Sequence, residues 1–237
     1  MTRCENYESM SRLAARILCQ TVGKNPRAVI VLATGHSPLF AYRYFVEKVK
    51  TAGTDLRGVT FVKLDEWMGL EPDDPATCEY FLRTELLEPL GIREEQFLHF
   101  DPAGDGEAEC ARFREAYRSL PPPDLVILGI GKNGHLGLNE PADSMAMGAH
   151  VIPLAEKTRT HEMLTHTVCP VTHGITMGIG DLFRGKEILL LADGAEKREA
   201  LAAYLGDEIT TRCPVTLLKL HPNCTTLVNM EDFAGIL

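Results

Sequence analysis

The sequence contains no run of basic residues, and its 24 Lys and Arg are outnumbered by 33 Asp and Glu, giving a formal net charge of −9. Nucleic-acid binding depends on Lys and Arg contacts to phosphate, so a nucleic-acid partner is not expected. No apolar segment approaches the ~20 residues that span a bilayer, which argues against a membrane protein. The N-terminus carries Glu5, Glu8 and two early arginines and does not resemble a signal peptide. These absences predict a cytoplasmic protein.

Closely spaced cysteines are also absent. The 7 cysteines are scattered, odd in number and without a CxxC spacing, which favours reduced thiols over a disulfide framework or a zinc site. The chain has no linker, internal repeat or low-complexity stretch, and its 237 residues suffice for one large domain with a substantial core. We therefore predict a single domain over residues 1–237 without a bound metal. The sequence leaves the oligomeric state open, a homo-oligomer included.

Apolar strand-like segments alternate with helix-like segments along the whole chain. Strands are predicted at 28–33, 59–64, 125–128, 174–180, 187–192, 215–218 and 225–228, with a shorter and ambiguous one at 151–154. Helices are predicted at 7–22, 39–49, 77–90, 107–120, 157–165 and 197–205. Fully apolar strands are typical of parallel strands covered on both faces. The order predicts a doubly wound, Rossmann-like α/β fold, with a mostly parallel sheet and helices on both faces.

The densest group of polar residues follows the strand at 125–128, in the segment DLVILGIGKNGHLGLNEPAD at residues 124–143. Its glycines allow a sharp turn, and open α/β sheets bind ligands at this carboxyl end of a strand. His135, with Glu140 five residues later, can form a base and the carboxylate that orients it. The alternative is a helix-capping loop in which His135 is merely hydrogen-bonded. The clustering of polar side chains favours a site.

A second candidate site, Thr34-Gly35-His36-Ser37, follows the strand at 28–33. The Thr34 and Ser37 hydroxyls, the backbone N–H groups freed by Gly35 and the positive end of a helix dipole would together bind a phosphate. Ser37 is expected to cap the helix, with Pro38 in its first turn. A strand, loop and helix N-terminus is also the ordinary form of a βα unit, and the loop lacks the spacing of a nucleotide-binding motif.

Asp65 and Glu66 follow a third strand, and adjacent side chains of an extended chain point to opposite sides, so at most one is expected to face a pocket. Apolar surroundings, including Trp67, would partly desolvate Asp65 and raise its pKa toward that of a general base. A solvated acidic loop is the alternative. Lys197 lies in the first turn of a predicted helix, where a cation opposes the dipole unless it meets an anion. A solvated lysine is the alternative there.

Four parts of the sequence match a known pattern in order: ATGHSPL at 33–39, FVKLDEWMGL at 61–70, GIGKNGHLGLNEPADS at 129–144, and ITMGIGDLF with LLLADGAEKREAL within 175–201. Together they resemble the glucosamine-6-phosphate deaminase family, which belongs with the 6-phosphogluconolactonases. The resemblance is colinear over nearly the whole chain and is greatest to the galactosamine-6-phosphate deaminase/isomerase branch.

The resemblance implies a small sugar phosphate as partner and an aldose–ketose isomerisation that releases ammonia, without cofactor or metal. Galactosamine 6-phosphate would give tagatose 6-phosphate, or glucosamine 6-phosphate would give fructose 6-phosphate. Carried over residue by residue, Asp65 would move a proton between C2 and C1, and His135, oriented by Glu140, would open the sugar ring. The phosphate would be held by Thr34, Gly35, Ser37 and Lys197.

Two positions depart from the resemblance within the candidate sites. Asn133 stands where the glucosamine enzymes have Asp, which removes a negative charge and is expected to make His135 less basic. His36 replaces the second glycine of the phosphate loop, where it is expected to restrict φ and to add a titratable side chain beside the phosphate. Both changes leave the epimer of the substrate undefined.

A third departure is the phosphate-binding arginine, which has no clear counterpart between Thr160 and His166; Arg159 and His161 are the candidates to replace it. Two other functions remain open from the sequence. In a lactonase, His135 would activate water toward a 6-phospholactone. A non-catalytic sugar-phosphate sensor would keep the phosphate loop, but this chain has neither the length nor the basic charge for an attached DNA-binding module.

Overall fold

A seven-stranded parallel sheet forms the centre of the computed structural model, which describes residues 1–71, 73–165, 167 and 169–235. In spatial order its strands are β1 (Thr2–Cys4), β10 (Cys224–Asn229), β9 (Ile188–Ala192), β6 (Leu125–Gly129), β2 (Val29–Leu32), β3 (Thr60–Lys63) and β5 (Phe97–Leu98). The chain adds strands outward from β2 to β5, then returns to β6 and continues in the other direction to β10. The order therefore reverses between β2 and β6, and open α/β sheets bind ligands in the crevice at such a reversal.

A second, antiparallel sheet consists of β4 (Asp65–Trp67), β8 (His173–Thr176) and β7 (His150–Pro153), in that order. Leu64 alone separates β3 from β4. The Leu64 N–H donates to the Leu32 carbonyl at 3.2 Å, and the Leu64 carbonyl accepts the Met177 N–H at 3.0 Å. The chain therefore passes directly from the large sheet into the small one, and Asp65 is the first residue after the passage.

The helices of the described ranges are α1 (Tyr7–Lys24), α2 (His36–Ala52), α3 (Cys78–Leu82), α4 (Gly106–Ser119), α5 (Glu156–Arg159), α6 (Ile179–Phe183), α7 (Arg198–Leu205) and α8 (Met230–Phe233). A π-helical segment, Arg83–Leu87, continues α3, and 3₁₀ helices lie at Glu94–Gln96, Glu162–Leu164, Ala195–Lys197 and Pro214–Leu220. No helix within these ranges combines the length and the apolar character needed to cross a membrane.

Both faces of the large sheet are covered, because successive side chains of a strand enter different apolar clusters. In β2, Ile30 and Leu32 pack with residues of α1 and α2, whereas Val29 and Val31 pack on the opposite face with residues of α4, α6 and α7. All four side chains are buried. This two-sided burial accounts for strands without polar alternation and confirms the predicted doubly wound α/β fold.

Most predicted elements are present with small shifts at their ends, including the strands at 28–33, 59–64, 125–128, 187–192 and 225–228 and the ambiguous one at 151–154, which is β7. The helix predicted at 77–90 begins as α3 but continues as a π-helical turn. Strands β1 and β5 had no predicted counterpart, because segments of 3 and 2 residues carry no readable periodicity.

Three predictions of secondary structure were wrong in part or whole. The strand at 215–218 is the 3₁₀ helix Pro214–Leu220, because Pro214 at its start has the φ of a first helical turn. The strand at 174–180 ends at Thr176, and the residues beyond it lead into α6. The helix at 157–165 divides into α5 and a separate 3₁₀ turn, because His161 is extended and its side chain accepts the Met163 N–H, which caps the new turn.

Candidate active site

A cavity of about 530 Å³ opens at the carboxyl ends of β2, β6 and β9, where the order of the sheet reverses. Residues of the loop after β2, of β4, of the loop after β6, of α5 and of the segment after β9 line it. Of the nine residues proposed from the sequence, seven line this cavity: Thr34, Gly35, His36, Ser37, Asp65, His135 and Lys197. The other two, Asn133 and Glu140, contact His135 or its loop by polar interactions.

Asp65 begins β4 at the wall of the cavity and is only 7% exposed. Burial, followed by the neighbouring charge of Glu66, raises the pKa of Asp65 from 3.8 to about 7, against the opposing charge of Lys63 and a hydrogen bond from the Cys78 thiol. A carboxylate with this pKa can both accept and return a proton near neutral pH. The structure thus places a buried carboxylate with a raised pKa at the cavity wall, and its role as a base stays a prediction.

Glu66 points away from the cavity into a buried polar network. Its carboxylate accepts Lys63 Nζ at 2.8 Å and the backbone N–H groups of Trp67, Cys78 and Glu79 at 2.8, 2.8 and 2.9 Å. Both Lys63 and Glu66 side chains are fully buried. The two acids therefore face opposite sides, as predicted, but the alternative of a solvated acidic loop is wrong because Glu66 anchors the start of α3 to the sheet.

His135 is held on its Nδ1 side by a buried carboxylate and a hydroxyl. Glu140 Oε2 lies 3.5 Å from Nδ1, and the Thr158 hydroxyl lies 3.3 Å from the same atom. Burial opposes the ionisation of Glu140, but hydrogen bonds from His135, Thr158 and Asn133 outweigh it and lower the pKa of Glu140 to about 2. The Ala155 N–H donates to the other oxygen of Glu140 at 3.1 Å. An ionised Glu140 therefore orients the ring and leaves Nε2 as the nitrogen for chemistry.

The glycine at position 131 makes room for the His135 ring. A Cβ added to Gly131 would lie 2.3 Å from Cδ2 and Nε2 of the ring and 2.4 Å from Cε1. Such contacts are far inside van der Waals distance, so any side chain at position 131 would displace the imidazole. Packing against the His135 ring therefore requires a glycine at position 131.

Lys197, Ser37 and the start of α2 form a corner of the cavity that can receive an anion. Lys197 Nζ donates to Ser37 Oγ at 3.1 Å. Gly35 is the N-cap at φ 92, so α2 begins at His36, and the prediction that Ser37 caps a helix starting at residue 39 was wrong. The positive φ that glycine permits turns the chain into the helix earlier than expected. The helix N-terminus and the ammonium group converge there.

The Lys197 side chain is partly buried. Burial lowers the pKa of Lys197, an effect that the charges of Glu196 and Asp193 oppose. The Thr34 hydroxyl donates to Cys78 Sγ at 3.2 Å, so its proton is engaged behind the loop. An anion in this corner would therefore meet the Lys197 ammonium group and the Ser37 hydroxyl. From Thr34 it would meet the backbone, because the hydroxyl proton is already donated to Cys78.

The chain is similar to proteins of one known family. The family model for glucosamine-6-phosphate isomerases/6-phosphogluconolactonase matches residues 3–228. The chain belongs to this deaminase/lactonase family. AgaI of Escherichia coli (strain K12), a protein proposed to be a deaminase, is 42% identical over 229 residues, which cover 97% of this chain and 91% of AgaI. The glucosamine-6-phosphate deaminase of Thermoanaerobacter pseudethanolicus (strain ATCC 33223 / 39E) is 37% identical over 230 residues, covering 95% and 90%. The solved structure of a monomeric glucosamine-6-phosphate deaminase matches with a TM-score of 0.91 and 34% identity, covering 98% of this chain and 97% of that one.

In this member of the deaminase/lactonase family, Asn133 acts on Glu140 and on the loop. Its amide Nδ2 donates to Glu140 Oε2 at 2.8 Å, and its Oδ1 accepts the His135 N–H at 3.2 Å. The same oxygen of Glu140 therefore faces both the Asn133 amide and the His135 ring. An aspartate at position 133 would place a second carboxylate against Glu140, whereas asparagine supplies a donor.

The loop after β2 accommodates the restricted φ that was expected of His36. This histidine is the first residue of α2, and every non-glycine residue in the described ranges has a negative φ. Its Nδ1 lies 2.9 Å from Asp193 Oδ2, and its ring stacks on Tyr7 with centroids 4.6 Å apart. The positive φ of the turn falls on Gly35, so position 36 does not require a glycine.

The two candidates for the missing arginine occupy different places. Arg159 is exposed, does not line the cavity, and donates from Nε to the Leu154 carbonyl at 2.9 Å. His161 lines the cavity and faces Gly35. Only His161 of this pair can therefore reach a ligand.

Several residues of the site were not found from the sequence. Asp193, which holds His36, follows the end of β9, and this position could have drawn attention to it. Thr158 and Ala155, which contact the His135–Glu140 pair, carry no recognisable signal because they come from a distant turn. In the part of the chain that the structure describes, no three His, Cys, Asp or Glu side chains are grouped to hold a metal ion.

Proposed function

We propose that the protein isomerises and deaminates a 2-amino-2-deoxyhexose 6-phosphate, producing ammonia and a ketohexose 6-phosphate. The observation that carries this proposal is the convergence of Asp65, His135 and Lys197 on one cavity, each with the surroundings its role needs. The similarity to proteins named glucosamine-6-phosphate deaminase supports it. No role is assigned to a cofactor or a metal.

His135 suits the opening of the sugar ring. Its Nε2 accepts the proton of the C1 hydroxyl and returns it to the ring oxygen, while the bond between C1 and the ring oxygen breaks to give the aldehyde. Glu140 stays ionised and stabilises the imidazolium that forms between the two proton transfers. The Thr158 hydroxyl keeps the ring in place during both steps.

Asp65 suits the isomerisation that follows. As a carboxylate it removes the proton from C2, and the electron pair of that C–H bond forms an enolamine between C2 and C1. It then returns the proton to C1 while the nitrogen lone pair forms the imine at C2, and one amino proton passes to the C1 oxygen, which becomes a hydroxyl. Water adds to C2 and ammonia leaves, so one water is consumed for each ammonia released. The raised pKa of Asp65 matches this exchange at neutral pH.

Lys197 and Ser37 suit the recognition of the 6-phosphate. The phosphate is remote from C1 and C2, so its binding energy can hold the reacting carbons against Asp65 and His135. The N-terminus of α2 adds a favourable dipole to the ammonium charge. The volume of about 530 Å³ accommodates one hexosamine phosphate.

The test is ammonia release from a panel of sugars in the presence of EDTA. Galactosamine 6-phosphate and glucosamine 6-phosphate are compared with their N-acetyl forms and with 6-phosphogluconolactone. We expect ammonia from one or both free amino sugars, no reaction of the N-acetyl forms, and no hydrolysis of the lactone. Formation of tagatose or fructose 6-phosphate is measured in the same samples to identify the epimer.

Asp65→Asn is the matched inactive variant, and Asp207→Asn is its control because Asp207 is exposed and outside the cavity. Asp65→Asn is expected to lose activity by ~10²–10⁴-fold, the range of general-base catalysis, while Asp207→Asn retains it. Hydrolysis of the lactone without ammonia release from either amino sugar would contradict the proposal and favour a lactonase.

We also propose that residues 1–237 act as one domain in the cytoplasm. All seven cysteines lie in described parts of the chain and none is paired, which fits a reducing compartment. Analytical ultracentrifugation and fractionation of cells test these points.

A further inference from the structure

His161 lies where a bound anion would meet the loop after β2. A Cβ placed on Gly35 would be 3.6 Å from both Cε1 and Nε2 of the His161 ring, so this edge of the ring faces the N-cap of α2 across a short gap. Both residues line the cavity, together with Ser37 and Lys197. Because Gly35 has no side chain, no side-chain atom of this residue stands between the His161 ring and the backbone at the start of α2.

The hydrogen bonding of His161 fixes which nitrogen faces the cavity as a donor. Its Nδ1 accepts the Met163 N–H at 3.2 Å, so Nδ1 carries no proton. In the neutral ring the proton is therefore on Nε2, the atom near Gly35. The Trp67 ring lies against the imidazole with centroids 5.6 Å apart and keeps its plane in place. His161 thus presents one N–H group to the loop.

The surrounding charges favour a neutral ring at this position. Burial lowers the pKa of His161 to about 4, and the charges of His135, Lys197 and Lys132 act in the same direction while Glu162 opposes them. A second permanent cation beside Lys197 would be repelled, whereas an uncharged N–H donor is tolerated. Arg159 cannot substitute, because its guanidinium is outside the cavity and bonded to the Leu154 carbonyl.

We propose that His161 is a phosphate-binding residue that donates from Nε2 to an oxygen of the substrate's 6-phosphate at Gly35, acting as an uncharged partner to Lys197. This inference rests on the proposed function for the identity of the substrate, since any tetrahedral oxyanion would test the donor itself. Among the described residues that line the cavity there is no arginine, so this inference gives the phosphate contact to a histidine.

The experiment measures binding of inorganic phosphate, so it does not require turnover. Dissociation constants are obtained by calorimetry, with the emission of Trp67, the single tryptophan, as a local reporter beside the ring. Three variants are compared with the parent. His161→Phe keeps a ring against Trp67 but removes the donor, His161→Gln keeps an amide donor that does not titrate, and Arg159→Gln removes a charge outside the cavity.

Phosphate binding is expected to weaken by about ten- to a hundredfold in His161→Phe, the range for a hydrogen bond to a charged group. His161→Gln is expected to bind within about threefold of the parent, and Arg159→Gln within about twofold. Equal affinity of His161→Phe and the parent would overturn the inference, as would a parent that does not bind phosphate. A loss in Arg159→Gln as large as in His161→Phe would do the same.

A pH series with sulfate, whose charge is constant over the range, separates a neutral donor from an imidazolium. The ratio of the parent and His161→Phe affinities is expected to stay constant from pH 6 to 8. A ratio that falls about tenfold per pH unit would show a charged ring and overturn the proposal. Nitrogen NMR of the parent provides a measurement without a variant, because phosphate should shift the signal of Nε2 and leave Nδ1 unprotonated.

The outcomes distinguish this inference from the proposed function. If His161→Phe loses phosphate affinity but no amino sugar phosphate yields ammonia, the histidine assignment stands and the reaction fails. If ammonia is released and His161→Phe retains full phosphate affinity, the reaction stands and the assignment fails.

Discussion

Replacing Asp65 with asparagine should make the protein more stable as well as inactive, and the gain in stability should depend on pH. In the folded protein the pKa of Asp65 is raised from 3.8 to about 7 by burial and by the charge of Glu66. The folded state therefore holds this proton more tightly than the unfolded state does. The resulting stabilisation is present at acidic pH and is lost as the pH rises through about 7. The substituted asparagine would carry no charge at any pH, so the variant would not show this loss.

The size of this effect follows from the two pKa values. At about 1.4 kcal/mol per pH unit, ionising Asp65 in the folded state at pH 8 costs about 4 kcal/mol, and at pH 5 the penalty is smaller by about 3 kcal/mol. The difference between the unfolding free energies of Asp65→Asn and the parent should therefore grow between pH 5 and pH 7 and level off above it. Urea denaturation at a series of pH values measures this difference, and titrations common to both proteins cancel.

The same pKa of Asp65 also predicts how activity depends on pH. Below pH 7 the parent should lose kcat/KM by about tenfold per pH unit, because the base becomes protonated. The reasoning would be refuted if Asp65→Asn were no more stable than the parent at pH 8, or if the stability difference were the same at pH 5 and pH 8. An acid limb of kcat/KM centred near pH 4 would refute it as well.

Three further perturbations test other parts of the structure. Glu66→Gln should lower the unfolding free energy in urea by about 1.5–3 kcal/mol, because it removes the closest charged partner of the buried Lys63, whose ammonium group still has Glu79 at 3.0 Å; a loss below about 0.5 kcal/mol would contradict the buried ion pair. Lys197→Ala should raise KM for every phosphorylated substrate by about ten- to a hundredfold and change kcat less. Steady-state kinetics with an unchanged KM would show that the phosphate binds at another place. Gly131→Ala should displace the His135 ring and reduce kcat while inhibition by inorganic phosphate persists; full retention of kcat would show that the ring position is unimportant.

The positions of the candidate site residues could be predicted from the sequence because they follow a simple rule of sheet geometry. Ser37, Asp65, His135 and Lys197 each follow the end of a strand with only a few intervening residues. Parallel strands bring these ends to one edge, so residues distant in the chain can be expected in one place. The rule gives proximity without orientation, and it therefore could not show that the Thr34 hydroxyl turns away to Cys78.

The features that escaped prediction depend on contacts between distant segments. Nothing in the local sequence shows that Glu66 would be fully buried by pairing with Lys63, since two adjacent acids are more typical of solvent. The break in the helix at 157–165 depends on the His161 side chain capping a second turn. That break places the ring against Gly35, a contact that neither the helical spacing nor the composition of the segment indicates.

The double attachment of Leu64 has a consequence for how substrate enters. The N–H of Leu64 is bonded to Leu32 of the large sheet and its carbonyl to Met177, the residue after β8 of the small sheet, so Asp65 is held at the junction of the two sheets. Exchange of ligands in the cavity would therefore leave Asp65 in place, so its carboxylate keeps the same position relative to both sheets from one occupant to the next.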